Sequence, residues 1–142
     1  MKKSSTDLDI PLSEHSSEIS DWYQRGELLA NLGDYLGAIA YFDKVLAIHP
    51  EYYPAWVFRG VALIHLKHYS EALDCCNRAI AIHPGHSEAW LFRGVALQRM
   101  SRYPEAYRSY DSALGIHRSN PLKRWMKQVK RWIRSLIQGL SF

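Results

Sequence analysis

Three tryptophans, Trp22, Trp56 and Trp90, stand 34 residues apart in this chain, and that spacing constrains its fold more than any other feature. Further residues recur in the same phase: Arg25 and Gly26, Arg59 and Gly60, Arg93 and Gly94, Tyr35, Tyr69 and Tyr103, Ala38, Ala72 and Ala106, His49, His83 and His117. A fixed period of about 34 residues indicates stacked helix-turn-helix units. Because two short helices cannot bury their apolar faces alone, neighbouring units are expected to share a continuous core.

The recurring residues follow one order in each unit. The first unit contains Trp22, Gly26, Leu29, Tyr35, Ala38, Phe42, Val45 and Pro50. The second contains Trp56, Gly60, Leu63, Tyr69, Ala72, Cys76, Ala79 and Pro84, and the third Trp90, Gly94, Leu97, Tyr103, Ala106, Tyr110 and Ala113. This order resembles the tetratricopeptide repeat family. Val45 and Cys76 depart from the pattern by apolar substitutions, and Arg118 replaces the closing proline of the third unit.

The resemblance implies an all-α fold, a right-handed α-solenoid of three repeats at residues 19–52, 53–86 and 87–120. Helical spacing of the apolar residues predicts two amphipathic helices per repeat, near 19–32, 35–48, 53–66, 69–82, 87–100 and 103–116. Residues 1–18 are rich in serine and charge, so we expect a mostly disordered tail. The chain contains no apolar stretch of membrane-spanning length, and we expect a cytoplasmic protein.

Charge divides the chain unequally near residue 117. Residues 1–117 carry 11 basic and 14 acidic residues, a net charge of −3, whereas the remaining residues carry seven basic residues and no acidic one. Residues 121–142 form a strongly amphipathic helical pattern, with Leu122, Trp125, Met126, Val129, Ile133, Leu136, Ile137 and Leu140 on one face. Repeat arrays need a terminal helix over their last apolar face, which predicts a C-terminal capping helix.

The same helix has a second interpretation. Its basic face, tryptophans and apolar stripe suit binding to an anionic membrane surface or to an apolar groove on a partner. The candidate residues are Trp125, Lys127, Lys130, Arg131, Trp132 and Arg134. The chain would then be a peripheral membrane tether.

The family resemblance also implies a concave protein-binding groove, formed by the first helix of each pair. Residues one, five, eight and nine positions after each tryptophan would point into it, namely Tyr23, Glu27, Ala30, Asn31, Val57, Val61, Ile64, His65, Leu91, Val95, Gln98 and Arg99. An apolar groove of this kind suits an amphipathic helix or an extended apolar segment. Alternatively, some of these residues pack within the array, or the chain's own tail covers them.

Family members that hold the acidic C-terminal tails of chaperones use a clamp of lysine, asparagine and arginine. The five clamp positions in this chain would be Tyr23, Glu27, Phe58, Glu88 and Phe92. A carboxylate needs cationic and amide donors, which these residues do not supply. The sequence therefore predicts that no chaperone tail is bound.

The recurring arginines are expected to join the repeats. Asp43 and Asn77 recur with the same period, which predicts that Arg59 pairs with Asp43 and Arg93 with Asn77. Such partly exposed pairs contribute about 1 kcal/mol each.

No motif in the sequence indicates catalysis, a cofactor or specific nucleic-acid binding. The histidines are spread along the chain, so a metal site is not expected. Cys75 and Cys76 are interpreted as buried structural thiols in a reduced compartment. The arginine-glycine form of the motif resembles repeats abundant in bacteria. The sequence leaves open whether arrays stack end to end into homodimers.

Overall fold

The computed structural model describes the backbone of residues 12–116 and 121–139, and it is helical throughout apart from short turns. These described residues form seven helices, α1 (Leu12–Asn31), α2 (Tyr35–Ile48), α3 (Tyr53–His65), α4 (Tyr69–Ile82), α5 (Ser87–Arg99), α6 (Tyr103–Ala113) and α7 (Pro121–Gly139). The predicted all-α solenoid is confirmed, and the observed bounds of α2 to α6 agree with the predicted ones to within three residues.

The helices pair in chain order and the pairs then stack. The intimate pairs are α1 with α2, α3 with α4 and α5 with α6, and the stacking contacts join α2 to α3 and α4 to α5. The first helices are also neighbours, because α3 touches both α1 and α5. One side of the array is therefore built from α1, α3 and α5, as expected of the groove side.

Glycine lets the two helices of a repeat approach each other closely. A Cβ atom at Gly26 would lie 2.6 Å from Cε1 of Phe42, and one at Gly94 would lie 2.5 Å from Cε1 of Tyr110. Aromatic rings of the second helix thus press against the backbone of the first. Phe42 is among the largest fully buried side chains.

The motif tryptophans hold the turns between repeats. The indole N–H of Trp56 donates to the carbonyl of Pro50 at 2.7 Å, and that of Trp90 donates to the carbonyl of Pro84 at 2.8 Å. The Trp56 ring also packs against all three apolar clusters of the array. Each of these tryptophans therefore joins its own repeat to the proline that closes the previous one.

The turns inside the repeats also share one geometry. Gly33, Lys67 and Ser101 all have positive φ, at 84°, 63° and 60°. Only glycine adopts this left-handed conformation without strain. The fold therefore imposes the same turn on all three repeats, even where the sequence lacks the glycine.

The N-terminal prediction requires a correction, because α1 begins at Leu12 and includes residues that we expected to be disordered. Residues 12–25 contain neither proline nor glycine, so nothing interrupts the helix N-terminal to Trp22. Ile19 is buried against the first repeat, and His15 lies 3.3 Å from Glu18 one turn away. Residues 1–11 lie outside the described part of the chain.

The helix predicted at the C-terminus is present as α7, but its packing differs from that of a cap. Among the described residues, α7 makes no contact with α1 to α6, and its apolar side chains are largely exposed. The helices α3, α5 and α7 begin 34 residues apart, at Tyr53, Ser87 and Pro121, so α7 begins where a fourth repeat would begin.

The sequence of α7 does not suit the place of a fourth repeat. Residues Ala55, Gly60, Ala62 and Leu63 of α3 are buried, as are their equivalents in α5. The equivalent residues of α7 are Lys123, Gln128, Lys130 and Arg131. Packing α7 as a fourth repeat would bury cations without partners, which costs several kcal/mol each.

Candidate partner-binding groove

The groove side of the array contains a concavity of about 320 Å³ between α3 and α5. It is lined by Val61, Ile64, His65, Lys67, Tyr69, Phe92, Val95 and Arg99. The floor is apolar, and the cationic or ionisable side chains stand at its edge. This surface can hold an apolar side chain of a partner beside a negatively charged group.

Five of the residues predicted for the groove line this concavity together. They are Val61, Ile64, His65, Val95 and Arg99. Phe92 lines it as well, although the sequence singled it out only as an unsuitable clamp position. Lys67 and Tyr69 were missed, because they lie on the turn and the second helix of the repeat, outside the positions that the resemblance assigns to the groove.

Val57 and Leu91 do not belong to the groove, which corrects the prediction for the position after each tryptophan. Val57 is 1% exposed and packs with Ala79 and with Ala89 of the next repeat. Leu91 lies instead in a second concavity, at the open end of the array beside Leu114. The residue directly after each motif tryptophan faces the next repeat, so its side chain is buried where another repeat follows.

Tyr23 shows the same geometry at the first repeat. Its ring contacts that of Tyr52, just before α3, at a centroid distance of 5.4 Å, that of Phe58 on α3 at 6.0 Å, and that of Phe42 at 5.9 Å. Burial raises the pKa of the Tyr23 hydroxyl, and its hydrogen bond to Glu27 and the charge of Glu88 raise it further. Tyr23 is therefore neutral and packed, in an aromatic cluster beside acidic side chains.

The far edge of the groove is polar. The His65 ring stacks on Tyr35, with centroids 4.5 Å apart and an interplanar angle of 2°. The Tyr110 hydroxyl donates to the side-chain carbonyl of Gln98 at 2.6 Å. Asn31 is exposed at the end of α1. Acidic and basic groups thus lie in different parts of the groove side, with Glu27 near Tyr23 and Arg99 near His65.

The predicted arginine pairs are confirmed, and each arginine has a further partner that the sequence did not indicate. Nε of Arg59 donates to Asp43 at 2.7 Å, and its Nη1 lies 3.1 Å from Sγ of Cys75. Nε of Arg93 donates to Asn77 at 2.8 Å, and its Nη1 donates to Ser109 at 2.6 Å. Each guanidinium therefore bonds the preceding repeat and the second helix of its own repeat.

Both cysteines are buried and free. Burial raises the pKa of the Cys75 thiol and raises that of Cys76 to about 12. At neutral pH both are thiols, which are poor nucleophiles. Across the described ranges, the structure contains no cluster of three side chains that could hold a metal ion.

The surface of α7 separates charge from apolar area. Leu122, Trp125, Met126, Trp132, Ile133, Leu136 and Ile137 are all exposed. Six basic residues and no acidic residue occur between Pro121 and Gly139. None of the helices in the described part of the chain is long and apolar enough to cross a membrane.

Comparison with known proteins identifies the repeats. The family model described as tetratricopeptide repeat matches residues 29–96. No curated protein shows significant sequence similarity to the chain. Among solved structures, the second tetratricopeptide domain of Spaghetti (RPAP3), bound to the HSP90 peptide SRMEEVD, is similar with a TM-score of 0.70 and 22% identity. That match covers 75% of this chain and 98% of that one.

Two further structures have the same arrangement of helices. The Sgt2 domain from Aspergillus fumigatus matches with a TM-score of 0.68 and 24% identity, over 89% of this chain and 86% of that one. MamA from Desulfovibrio magneticus RS-1 matches with a TM-score of 0.65 and 29% identity, over 72% and 58%. The family model over residues 29–96, the motif residues and the helical pairs identify tetratricopeptide repeats in this chain, and the solved structures share its fold.

Proposed function

We propose that this chain is a non-enzymatic protein-interaction module, an adaptor or assembly factor, that holds an apolar segment of a partner protein in its groove. The observation that carries the proposal is the concavity between α3 and α5, with Val61, Ile64, Phe92 and Val95 on its floor. Exposed apolar surface in a concave site is typical of interaction sites. The likeness to a repeat domain bound to a peptide supports the same class of function.

The charges around the groove suggest the chemistry of the partner segment. Lys67 and Arg99 line the concavity, whereas Glu27 and Glu88 lie near Tyr23. An amphipathic helix or extended segment would place apolar side chains on the floor. An acidic residue beside Arg99 and a basic residue near Glu27 would complement the two charged ends.

Chaperone tails are a poor match to this groove. Such tails end in carboxylates, and the clamp positions carry the Tyr23 and Phe58 rings and the acidic Glu27 and Glu88. Burying a carboxylate beside these groups would leave it without donors. We propose that the chain does not bind them, and a micromolar affinity for a peptide with the HSP90 sequence SRMEEVD would contradict this.

The groove proposal is tested by affinity purification with mass spectrometry, comparing the unmodified chain with Val61→Arg. We expect the partner to be lost with Val61→Arg, because a cation would occupy the apolar floor, at a cost of about 2 kcal/mol or more in binding. Leu36→Arg, at an exposed position away from the groove, is the matched control and should retain the partner. Equal retention by both variants would refute the groove as the binding site.

A second candidate function is peripheral attachment to an anionic membrane through α7. The uncovered apolar stripe of α7 and its six cations favour this function. An interfacial helix buries its apolar face at the level of the lipid headgroups, while its basic face attracts anionic lipid. The two functions are compatible, because the groove and α7 use different residues.

A further inference from the structure

The open end of the last repeat carries an apolar surface that the internal repeats keep covered. Its residues are Leu91, Tyr103, Tyr107, Leu114 and Ile116, and we call this surface the C-terminal face. All five are exposed, with Tyr107 at 63% and Leu114 at 73%. Their equivalents one repeat earlier are Val57, Tyr69, Leu73, Ile80 and Ile82, and none of these is exposed. The difference arises because α5 covers the second repeat, whereas no described element covers the third.

Within one chain, α7 does not supply the missing cover. It makes no contact with α6 in the described residues, and in the phase of a fourth repeat it would bury Lys123, Lys130 and Arg131 against this face.

The first helix of a second copy is equally unsuited to this surface. Asp21 stands at the position of Ala55 and Ala89, which are fully buried at the interfaces between repeats. Stacking a second array head to tail would therefore bury the Asp21 carboxylate against Leu91, with no donor to satisfy it.

We propose that the C-terminal face is a homodimer interface, in which it pairs with the same face of a second copy across a twofold axis. Both sides of such an interface are apolar, so no charge is buried at its centre. Twofold dimers are the commonest protein oligomers, and in them the same surface of each copy forms the interface.

The charges at the two ends of the C-terminal face favour the antiparallel arrangement that a twofold axis imposes. Glu88 lies beside Ala113 and Leu114, at the C-terminal end of α6. Arg102 precedes α6 at its other end, where it bonds Glu105 of its own chain at 2.8 Å. Antiparallel pairing brings Arg102 of each copy towards Glu88 of the other, so opposite charges meet at both edges.

The experiment measures the mass of the full chain in solution by sedimentation or light scattering over a range of concentrations. We expect a monomer-dimer equilibrium, and Tyr107→Glu should raise the dimer dissociation constant on the order of 100-fold, since it places a charge at the centre of an apolar interface twice per dimer. Leu36→Glu is the matched control, because Leu36 is 70% exposed and its equivalents Ser70 and Pro104 are exposed as well. It should leave the dissociation constant unchanged.

A cysteine scan separates the twofold arrangement from the alternatives. Tyr107 lies near the middle of α6, so Tyr107→Cys should form a disulfide-linked dimer on oxidation, whereas Leu36→Cys should not. A chain that stays monomeric up to its solubility limit would overturn the proposal. Leu28 is exposed on α1, at the position of the buried Ala62 and Ala96, so a dimer that Leu28→Glu dissociates would indicate head-to-tail stacking and would also overturn the proposal. A dimer that is lost on removal of residues 121–142 would indicate pairing through α7, with the same consequence. None of these outcomes bears on the groove, whose test uses Val61.

Discussion

At the scale of single residues, Arg59 shows how one side chain can join three helices. Arg59 lies on α3, bonds Asp43 on α2 and lies against Cys75 on α4. The equivalent Arg93 repeats the arrangement with Asn77 and Ser109. Asp43 is charged and Asn77 is neutral, yet both accept a bond from the arginine in the same geometry. The position of the arginine side chain therefore depends on the repeat more than on the charge of the acceptor.

We expect Arg59→Ala to lower the free energy of unfolding by about 1 kcal/mol. The Asp43 side chain is half exposed, so solvent weakens its ion pair with Arg59. Most of the expected loss in stability therefore comes from the hydrogen bonds and the packing of the guanidinium. Urea denaturation of the monomer measures the change. Arg25→Ala is the control, since Arg25 occupies the same position in the first repeat but has no partner among the described residues. An unchanged midpoint for Arg59→Ala would disprove the stacking role.

Single positions also show where counting along the sequence fails. Val57 and Leu91 occupy one position of the repeat, yet Val57 is buried and Leu91 is 44% exposed. The sequence assigns both the same role because they have the same offset from their tryptophans. Their different environments depend on whether another repeat follows, which is a property of the stack and not of the residue.

At the scale of secondary structure elements, the array helices were predictable and the behaviour of α7 was not. The helices α2 to α6 begin and end close to the predicted residues because their apolar spacing, turns and prolines all agree. The amphipathic pattern of α7 was also correct. What it packs against was not decided by the pattern, because an apolar stripe fits a repeat, a partner or a membrane equally well.

We expect α7 to bind vesicles that contain phosphatidylserine at low salt, and to bind neutral phosphatidylcholine vesicles much less. Ile133→Asp should weaken binding by about 3 kcal/mol, because it removes an inserted apolar side chain and adds one negative charge. Ser135→Asp makes the same change in charge on the polar face and should cost only about 1 kcal/mol. Co-sedimentation measures both variants.

The outcomes of that experiment separate insertion from simple attraction. Equal losses for the two variants would show that charge alone holds the chain at the surface, without insertion of the apolar stripe. No sedimentation of the unmodified chain with anionic vesicles at low salt would remove the membrane function altogether.

At the scale of the whole molecule, three surfaces lie on different parts of one array. The groove lies between α3 and α5, the C-terminal face is formed by α6, the residues after it and Leu91 of α5, and α7 contacts neither in the described residues. A dimer through the C-terminal face would carry two α7 helices, and two membrane contacts on one particle bind more strongly than either alone. The proposed dimer and the proposed membrane contact therefore reinforce each other.

We expect a chain that ends at Asn120, without α7, to unfold at the same urea concentration as the full chain. The reason is that α7 makes no contact with the array among the residues that the structure describes, so its removal should change the free energy of unfolding by less than about 0.5 kcal/mol. Urea denaturation followed by circular dichroism measures this. A loss of several kcal/mol would show instead that α7 caps the last repeat in solution.

The sequence by itself determined the repeat, the helices and the pairing of the arginines. These features depend on local spacing and on the 34-residue period, which gives equivalent residues the same position in every repeat. Only the tertiary structure decided which of the equivalent residues are covered. Burial depends on what lies beyond a repeat, and the first and last repeats lack the neighbour that the middle one has on both sides. Val57, Leu91 and α7 all differ from prediction for that reason, and the surfaces left uncovered are those to which the proposed dimer and membrane contacts are assigned.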